Sequence, residues 1–334
     1  MNGIPSTKMG GFPAPNKRYG KIQPKYRYYR FVIPQGDRMY PNNLYIEETW
    51  EPTQVHHLYF AEYTGGPNWF EATDITLSSN YWLDAMLATW LTARRASPQG
   101  SSSDAILLCG VQSSPYIEID CKQEMRFQVM SACLQNPIAG WILLGSNNRK
   151  TWNVIIDVHP DDIAQNYPWY TNGPLWYAYD LFSFKPPVHT ATEFLYWAVT
   201  PGMNYHRLTG GDRDYCPIYE VEFNDTPGGT DLCTGGSASS AASPSSRSYV
   251  ALFNDNTADS VSCYTSSAFA YLFLAPVEPE ELTILMGDTP NQVFVDWWVL
   301  KADNPYVWYF HKYIETPYGT WDNPGTNTEE AFPL

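Results

Sequence analysis

Apolar and polar residues alternate one by one over much of this chain. In Met125–Ser131, the side chains of Met125, Phe127 and Val129 share a face, with Arg126 and Gln128 opposite. In Trp152–Asp157, Trp152, Val154 and Ile156 share a face in the same way. A period of two is the signature of a half-buried strand, and Gly, Pro, Asn and Ser punctuate the runs as turns do. The pattern predicts an all-β fold. Ser78–Arg95 departs from it, with apolar residues at helical spacing after an N-cap at Ser79 or Asn80. It reads either as an inserted helix of about three turns or as loop plus strand.

The pattern also repeats. Gly140–Asp157 and Asp296–Tyr313 align without a gap at an offset of 156, so that Trp141 meets Trp297, Asn148 meets Asn304 and Trp152 meets Trp308. The strand pairs Tyr26–Trp50 and Glu193–Phe223 stand upstream in the same order. Two copies of one fold are expected, with a basic arm at 1–25, a first sandwich at 26–187 and a second at 188–334. Pro186 and Pro187 break the pattern near the joint, in Ser183–Thr192. The Gly/Ser-rich stretch 228–248 falls inside the second copy and reads as a long loop with a weak edge strand. Trp152 and Trp308 are expected to be buried like Trp141 and Trp297, because each large ring contributes several kcal/mol of burial, roughly. A sugar-stacking role for Trp141 or Trp152 is the alternative.

Composition narrows the class. Aromatic residues make up 16% of the 334 residues and charged residues only 16%, low for a globular chain. Residues 1–36 hold seven basic residues and no acid, so with −15 overall the remainder carries −22. Such a body repels nucleic acid. No apolar run reaches the length of a membrane span, and the N-terminus lacks the apolar core of a signal peptide. Folding in the cell that makes the chain is expected. The six cysteines show no metal-type spacing and read as small buried hydrophobes. The arm, with Lys8, Lys17, Arg18 and Lys21, reads as a solvated tail or as a segment lying along an acidic neighbour, such as another copy of the chain.

The "YRYYRF" strand, the "EVEF" strand, the "GGT…GGSASSA" loop, the "ALFNDNTADS" loop and the "LLGSNNRKTW" hairpin together resemble the discoidin-type, galactose-binding-like β-sandwich. That family occurs in phage tail, fibre and particle-surface proteins. The resemblance implies two tandem jelly-roll sandwiches over residues 26–334. It also implies a location in the virion after folding in the host cytoplasm. Partners would be other virion proteins and copies of the chain, with a host surface glycan as a further ligand. Some family members hold calcium, which here implies a structural calcium ion at Asn254, Asp255, Asn256, Asp259 and Glu220 in the second sandwich. Oxygen ligands on a short loop suit that hard cation. A hydrogen-bonded acidic loop without an ion is the alternative.

Catalytic signatures are absent: there is no GxSxG, Walker loop, HExxH or Rossmann fingerprint. His159, with Asp161 and Asp162, reads as a surface turn. Tyr167–Asp180 clusters Trp169, Tyr170, Trp176 and Tyr177 around Asn172-Gly173-Pro174, which reads as an aromatic loop. A subunit interface, packing over the sandwich end or a carbohydrate platform would each account for it. The leading functional expectation is a non-enzymatic structural protein of a phage particle. A glycan-binding adhesin and a glycan depolymerase are the alternatives.

Overall fold

The computed structural model describes residues 24–34, 53–72, 74–80, 84–96, 106–108, 115–135, 140–167, 175–201, 205–207, 215–240, 249–257, 259–264, 268–286, 292–294, 296–315 and 328–334. The fold is all-β, built from antiparallel sheets with few helices. In the first half, the strands are β1 (Tyr26–Val32), β2 (Thr53–Ala61), β3 (Thr76–Ser79), β4 (Ile106–Leu108), β5 (Tyr116–Met125), β6 (Val129–Gln135), β7 (Trp141–Ser146), β8 (Asn153–Val158) and β9 (Leu175–Asp180). They form a five-stranded sheet, β3-β5-β1-β7-β8, and a four-stranded sheet, β4-β2-β6-β9.

The second half repeats both sheets. Its strands are β10 (Phe194–Pro201), β11 (Tyr205–Arg207), β12 (Tyr215–Asn224), β13 (Ser237–Ser240), β14 (Val261–Tyr264), β15 (Phe269–Val277), β16 (Glu281–Met286), β17 (Gln292–Phe294), β18 (Asp296–Ala302), β19 (Tyr309–Glu315) and β20 (Thr328–Pro333). The five-stranded sheet runs β13-β15-β10-β18-β19 and the four-stranded sheet β14-β12-β16-β20, with β11 and β17 as an added pair. Strand for strand, the order matches the first half.

The match extends to register. Trp141 pairs with Val158 and Trp297 with Ile314, and bulges fall at Leu143/Leu144 and at Val299/Leu300. Further bulges correspond at Tyr26/Tyr28 and Phe194/Tyr196, and at Val55/His57 and Ile218/Glu220. The hairpin turns are built alike. Asn148 Oδ1 accepts from the amides of Lys150 and Thr151 at 2.8 and 2.9 Å, and Asn304 Oδ1 accepts from those of Tyr306 and Val307 at 3.0 and 3.2 Å. The indoles of Trp152 and Trp308 donate to the carbonyls of Arg149 and Pro305, each three residues back. These bonds replace ladder pairing where the strands part, so the offset of 156 reflects one turn chemistry used twice.

In each half, the inward positions of the two sheets meet. Trp141 contacts Phe31 and Tyr179, and Tyr29 contacts Phe60. In the second half, Trp197 and Phe273 meet Phe223. Trp141 and Trp297 are fully buried, as the alternation predicts. Trp308 is buried too, but Trp152 is only half-buried and faces outward, which corrects the expectation for that residue. The bulge opposite Leu143/Leu144 places Ile155 between the paired residues Val154 and Ile156, which breaks the alternation read from sequence.

Ser78–Arg95 resolves as strand β3 followed by helix α1 (Asp84–Ala96). The side chain of Asn80 accepts from the amide of Tyr116, and residues 81–83, where the predicted cap would meet the helix, lie outside the described residues. His159 caps a short helix, α2 (Pro160–Asn166). The Gly/Ser stretch supplies the edge strand β13, as expected. Cys121, Cys133 and Cys233 are buried. Among the described residues, no helix is long and apolar enough to cross a membrane.

The halves pack together through unlike faces. Ala198, Ala268, Ala270, Leu300, Ala302 and Trp308 lie on the outer face of the second five-stranded sheet and join the core cluster of the first half. Tyr306 inserts into the first half's four-stranded sheet. Its ring stacks on Tyr59 at 5.0 Å and meets Trp176 edge-on at 5.2 Å. Its hydroxyl donates to Glu71 at 2.7 Å, and its carbonyl accepts from Ser131 Oγ at 2.6 Å. Asn68 also donates to Glu71, and His57 lies 3.5 Å from it. Burial opposes ionisation of Glu71, yet these partners hold its carboxyl below the usual range.

Candidate docking surface

The outer face of the first five-stranded sheet is where charge gathers. Tyr28 and Arg30 occupy alternate positions on β1, and Tyr116, Glu118 and Asp120 do so on β5. Their apolar neighbours Tyr29, Phe31, Ile117 and Ile119 go to the core. The pairing Arg30↔Glu118 sets unlike charges side by side. The hairpin adds Arg149, held in left-handed backbone at φ 59°, with its amide donating to Ser146 Oγ.

Glu118 organises the face. Its side chain is 5% exposed and takes Arg30 Nε on one oxygen and Arg149 Nε on the other, each at 2.8 Å. Arg30 lies between two rings, 4.1 Å from Tyr116 and 4.0 Å from Trp152. Arg149 lies 4.4 Å over Tyr28. One buried carboxylate and three aromatic rings thus fix two guanidinium groups, and the side-chain entropy of ordering them is spent before any partner arrives.

Asp120 forms a second node, taking Arg27 Nε at 2.9 Å and Lys122 Nζ at 3.2 Å. Burial raises its pKa, but Arg27 and Lys122 outweigh burial and hold the carboxyl well below the usual range. Four cations surround two carboxylates, so the face is net positive on an acidic body. Beside it runs a groove of about 520 Å³, lined by Arg30, Thr76, Ser78, Ser79, Tyr116 and Glu118 among others.

The sequence-derived site residues fall elsewhere. Lys8, Lys17, Arg18, Lys21, Trp169 and Tyr170 lie outside the described residues. Trp176 and Tyr177 are buried on strand β9, which corrects the reading of an exposed aromatic loop at those two positions. Trp176 meets Tyr306 at the seam between halves, and Tyr177 points inward onto Tyr167. Tyr167–Asp180 therefore contributes a strand, in which alternate rings serve the core and the seam.

The calcium candidates are only partly drawn together. Glu220 is buried, with Asp255, Glu222 and Asp231 as charged neighbours. Burial foremost, and then these like charges, push its carboxyl up to about 7, and the nearby backbone of Asp255 offsets this only in part. Neither carboxylate oxygen has a well-formed hydrogen bond. The loop, however, bonds to itself: Asn254 Oδ1 accepts from the amide of Asn256, and Asn256 Nδ2 donates to Asp259 at 2.8 Å. Among the described residues, no three His, Cys, Asp or Glu side chains converge as a metal site. Asn254, Asn256 and Asp259 are thus tied to one another by hydrogen bonds, while Glu220 stands buried beside the backbone of Asp255.

The Arg30–Glu118–Arg149 cluster was not singled out from sequence, because its members come from three separate segments. One signal was available: "YRYYR" and "YIEID" place opposite charges at period two on strands otherwise dedicated to the core. The chain matches no protein-family model, no curated protein sequence and no solved structure.

Proposed function

We propose that this chain is a non-enzymatic assembly protein that acts through protein–protein contacts on the outer faces of its sheets. The finer architecture belongs to the same proposal: two tandem jelly-roll sandwiches of the discoidin type, joined near residue 187. The sequence resemblance offers a setting, the tail, fibre or surface of a phage particle. One observation supports the reading most. The second half already uses a five-stranded face as a docking surface, and the same face of the first half carries a fixed cationic and aromatic array. Arg and aromatic residues on a rigid sheet are the composition of an interface centre. The net positive charge selects an acidic partner.

Cross-linking of surface lysines to carboxylates on a partner, followed by peptide mapping, tests this. Lys122 and Lys150 should dominate intermolecular links, and Arg30→Ala with Arg149→Ala should remove them. Intermolecular links confined to other surfaces would overturn the reading.

A second reading is favoured by the groove lining. Thr76, Ser78 and Ser79 hydroxyls beside Arg30 and the Tyr116 ring suit an acidic sugar. Saturable binding of a carboxylated saccharide, abolished by Arg30→Ala, would move the assignment to a glycan-binding adhesin.

A further inference from the structure

The groove beside the charged face of the first half has its carboxylates occupied and its donors to spare. One oxygen of Glu118 takes Arg30 Nε and the other Arg149 Nε, each at 2.8 Å. Both oxygens of Asp120 are taken by Arg27 and Lys122. A guanidinium keeps most of its N–H donors on its Nη groups, and among the described residues those of Arg30 and Arg149 have no protein partner. On the edge strand β3, register sets Ser78 beside Glu118 and Thr76 beside Asp120. The Ser78 hydroxyl has no partner among the described residues. Thr76 Oγ1 accepts from Lys122 Nζ at 2.8 Å, which leaves its own O–H to donate.

Charge and shape define what fits there. One arginine would neutralise Glu118; the second leaves a positive charge over, and Arg27 with Lys122 does the same at Asp120. Arg30 lies between the rings of Tyr116 and Trp152, which leaves its in-plane N–H edge as the route to a ligand. Such an edge is the fork that phosphate oxygens match. Arg149, held over Tyr28, supplies a second fork from the other side of the same carboxylate. A carboxylate has two oxygens and satisfies one fork. A phosphate monoester has three acceptor oxygens spread in space and a charge of about −1.5 to −2, which answers both forks and the surplus charge. The groove, at about 520 Å³, has room for more than the phosphate group, and Thr76 and Ser78 line the remainder with hydroxyls that pair with other hydroxyls.

We propose that this groove binds a phosphate monoester of a small polyhydroxylated molecule, with the phosphate bridging Arg30 and Arg149 and the hydroxyls lying along Thr76 and Ser78. This goes beyond the assembly reading, because it assigns the face a small-molecule ligand. The ligand and an acidic partner protein draw on the same two guanidinium groups, so they compete. The second half carries no counterpart of the clamp: Ala198, Ala270 and Pro305 stand at the positions of Arg30, Glu118 and Arg149.

The experiment is isothermal titration of the full chain with glucose 6-phosphate, inorganic phosphate, glucose and acetate, all at one ionic strength set with sodium chloride. Glucose 6-phosphate should bind saturably, and glucose and acetate should not. Inorganic phosphate should bind about tenfold more weakly than the ester, since it forgoes the hydrogen bonds along β3. Arg30→Lys and Arg149→Lys keep the charge and lose the fork, and each should weaken the ester by about tenfold or more. Ser78→Ala should weaken the ester by about threefold and leave inorganic phosphate unchanged. A circular dichroism melt of each variant shows that it is folded, and Arg149, on an exposed turn, can be replaced without touching the core. No saturable binding of the ester, undiminished binding in both lysine variants, or acetate bound as tightly as the ester would each overturn the proposal. Inorganic phosphate bound as tightly as the ester would assign the site to the free ion and overturn the ester. A chain that binds no ester yet still cross-links through Lys122 or Lys150 to an acidic protein would sink this inference and leave the assembly reading intact.

Discussion

The same sheet face was built twice in this molecule and given opposite chemistry. On the first half, Arg30 and Glu118 face outward across β1 and β5. Register places Ala198 and Ala270 at those positions in the second half. Asp120 is matched by Leu272, and Lys150 by Tyr306. Strand order, register and bulges are shared. What differs is whether the outward positions hold side chains that water must solvate or methyl groups that a second sheet can cover. The fold sets which residues face outward, and the side chains there decide whether the face becomes an internal seam or an exposed surface.

The two pairs of tryptophans separate what the halves share from what they do not. Trp141 and Trp297 are fully buried in equivalent registers. Alanine at either should cost about 3–5 kcal/mol in a denaturant titration. Trp308 and Trp152 should split, because Trp308 is covered at the seam while Trp152 is half-buried against Arg30. Trp308→Ala should approach the larger figure and Trp152→Ala should lose only about 1 kcal/mol, mainly its contact with the guanidinium. Equal losses at 152 and 308 would mean that the two faces are not differently covered.

A transplant across the comparison tests the seam directly. Ala270→Glu copies Glu118 into a face with no arginine beside it, leaving a buried carboxylate without a partner at a cost of about 3 kcal/mol. Limited proteolysis at the Ser183–Thr192 joint should accelerate as the halves come apart. The milder probe is Tyr306→Phe, which removes one hydrogen bond to Glu71 while Asn68 still donates to it, for about 1 kcal/mol. If Ala270→Glu leaves both stability and cleavage unchanged, the alanine face is not the contact.

Much of this was legible in the sequence, and the failures have identifiable causes. The gapless offset of 156 survived because Asn148 and Asn304 close their turns with the same hydrogen bonds, which forbid insertions there. The helix at 84–96 was one of the two readings that its period allowed. Trp152 was misplaced because a bulge leaves no trace in a period-two count. Trp176 and Tyr177 were read as loop because Asn172-Gly173-Pro174 is a strong turn signal and the strand starts directly after it. The Arg30–Glu118–Arg149 face was missed because its residues, 88 and 31 apart, become neighbours only through strand order. The acidic loop at 254–259 carried ion-binding residue types, but its side chains bond to one another.

The finest test of the comparison uses two titratable groups, one buried and one half-buried, that only the second half has. His311 is the counterpart of Ile155 at the bulge and packs on Trp197 at 4.9 Å. Burial, then the charges of Lys301 and Lys312, push it down to about 4 from 6.5. Glu220, at the position of His57, is pushed up to about 7 from 4.5. The signs oppose each other. Glu220 contributes stability below pH 4.5, and that contribution is lost as pH rises through 7 and the buried carboxyl must ionise. His311 contributes stability above pH 6.5, and that contribution is lost as pH falls through 4 and the half-buried imidazole must charge. Between pH 4.5 and 6.5 the two slopes nearly cancel, so the wild-type chain hides both. Glu220→Gln should make stability rise with pH across that window, and His311→Ile should make it fall. Each slope should be about 1 kcal/mol per pH unit, below the full linkage value because neither group is wholly screened from solvent. The double variant should be flat again. Denaturant midpoints at a series of pH values report this directly, and parallel profiles for the two single variants would show that these groups are not held as the second half's structure holds them.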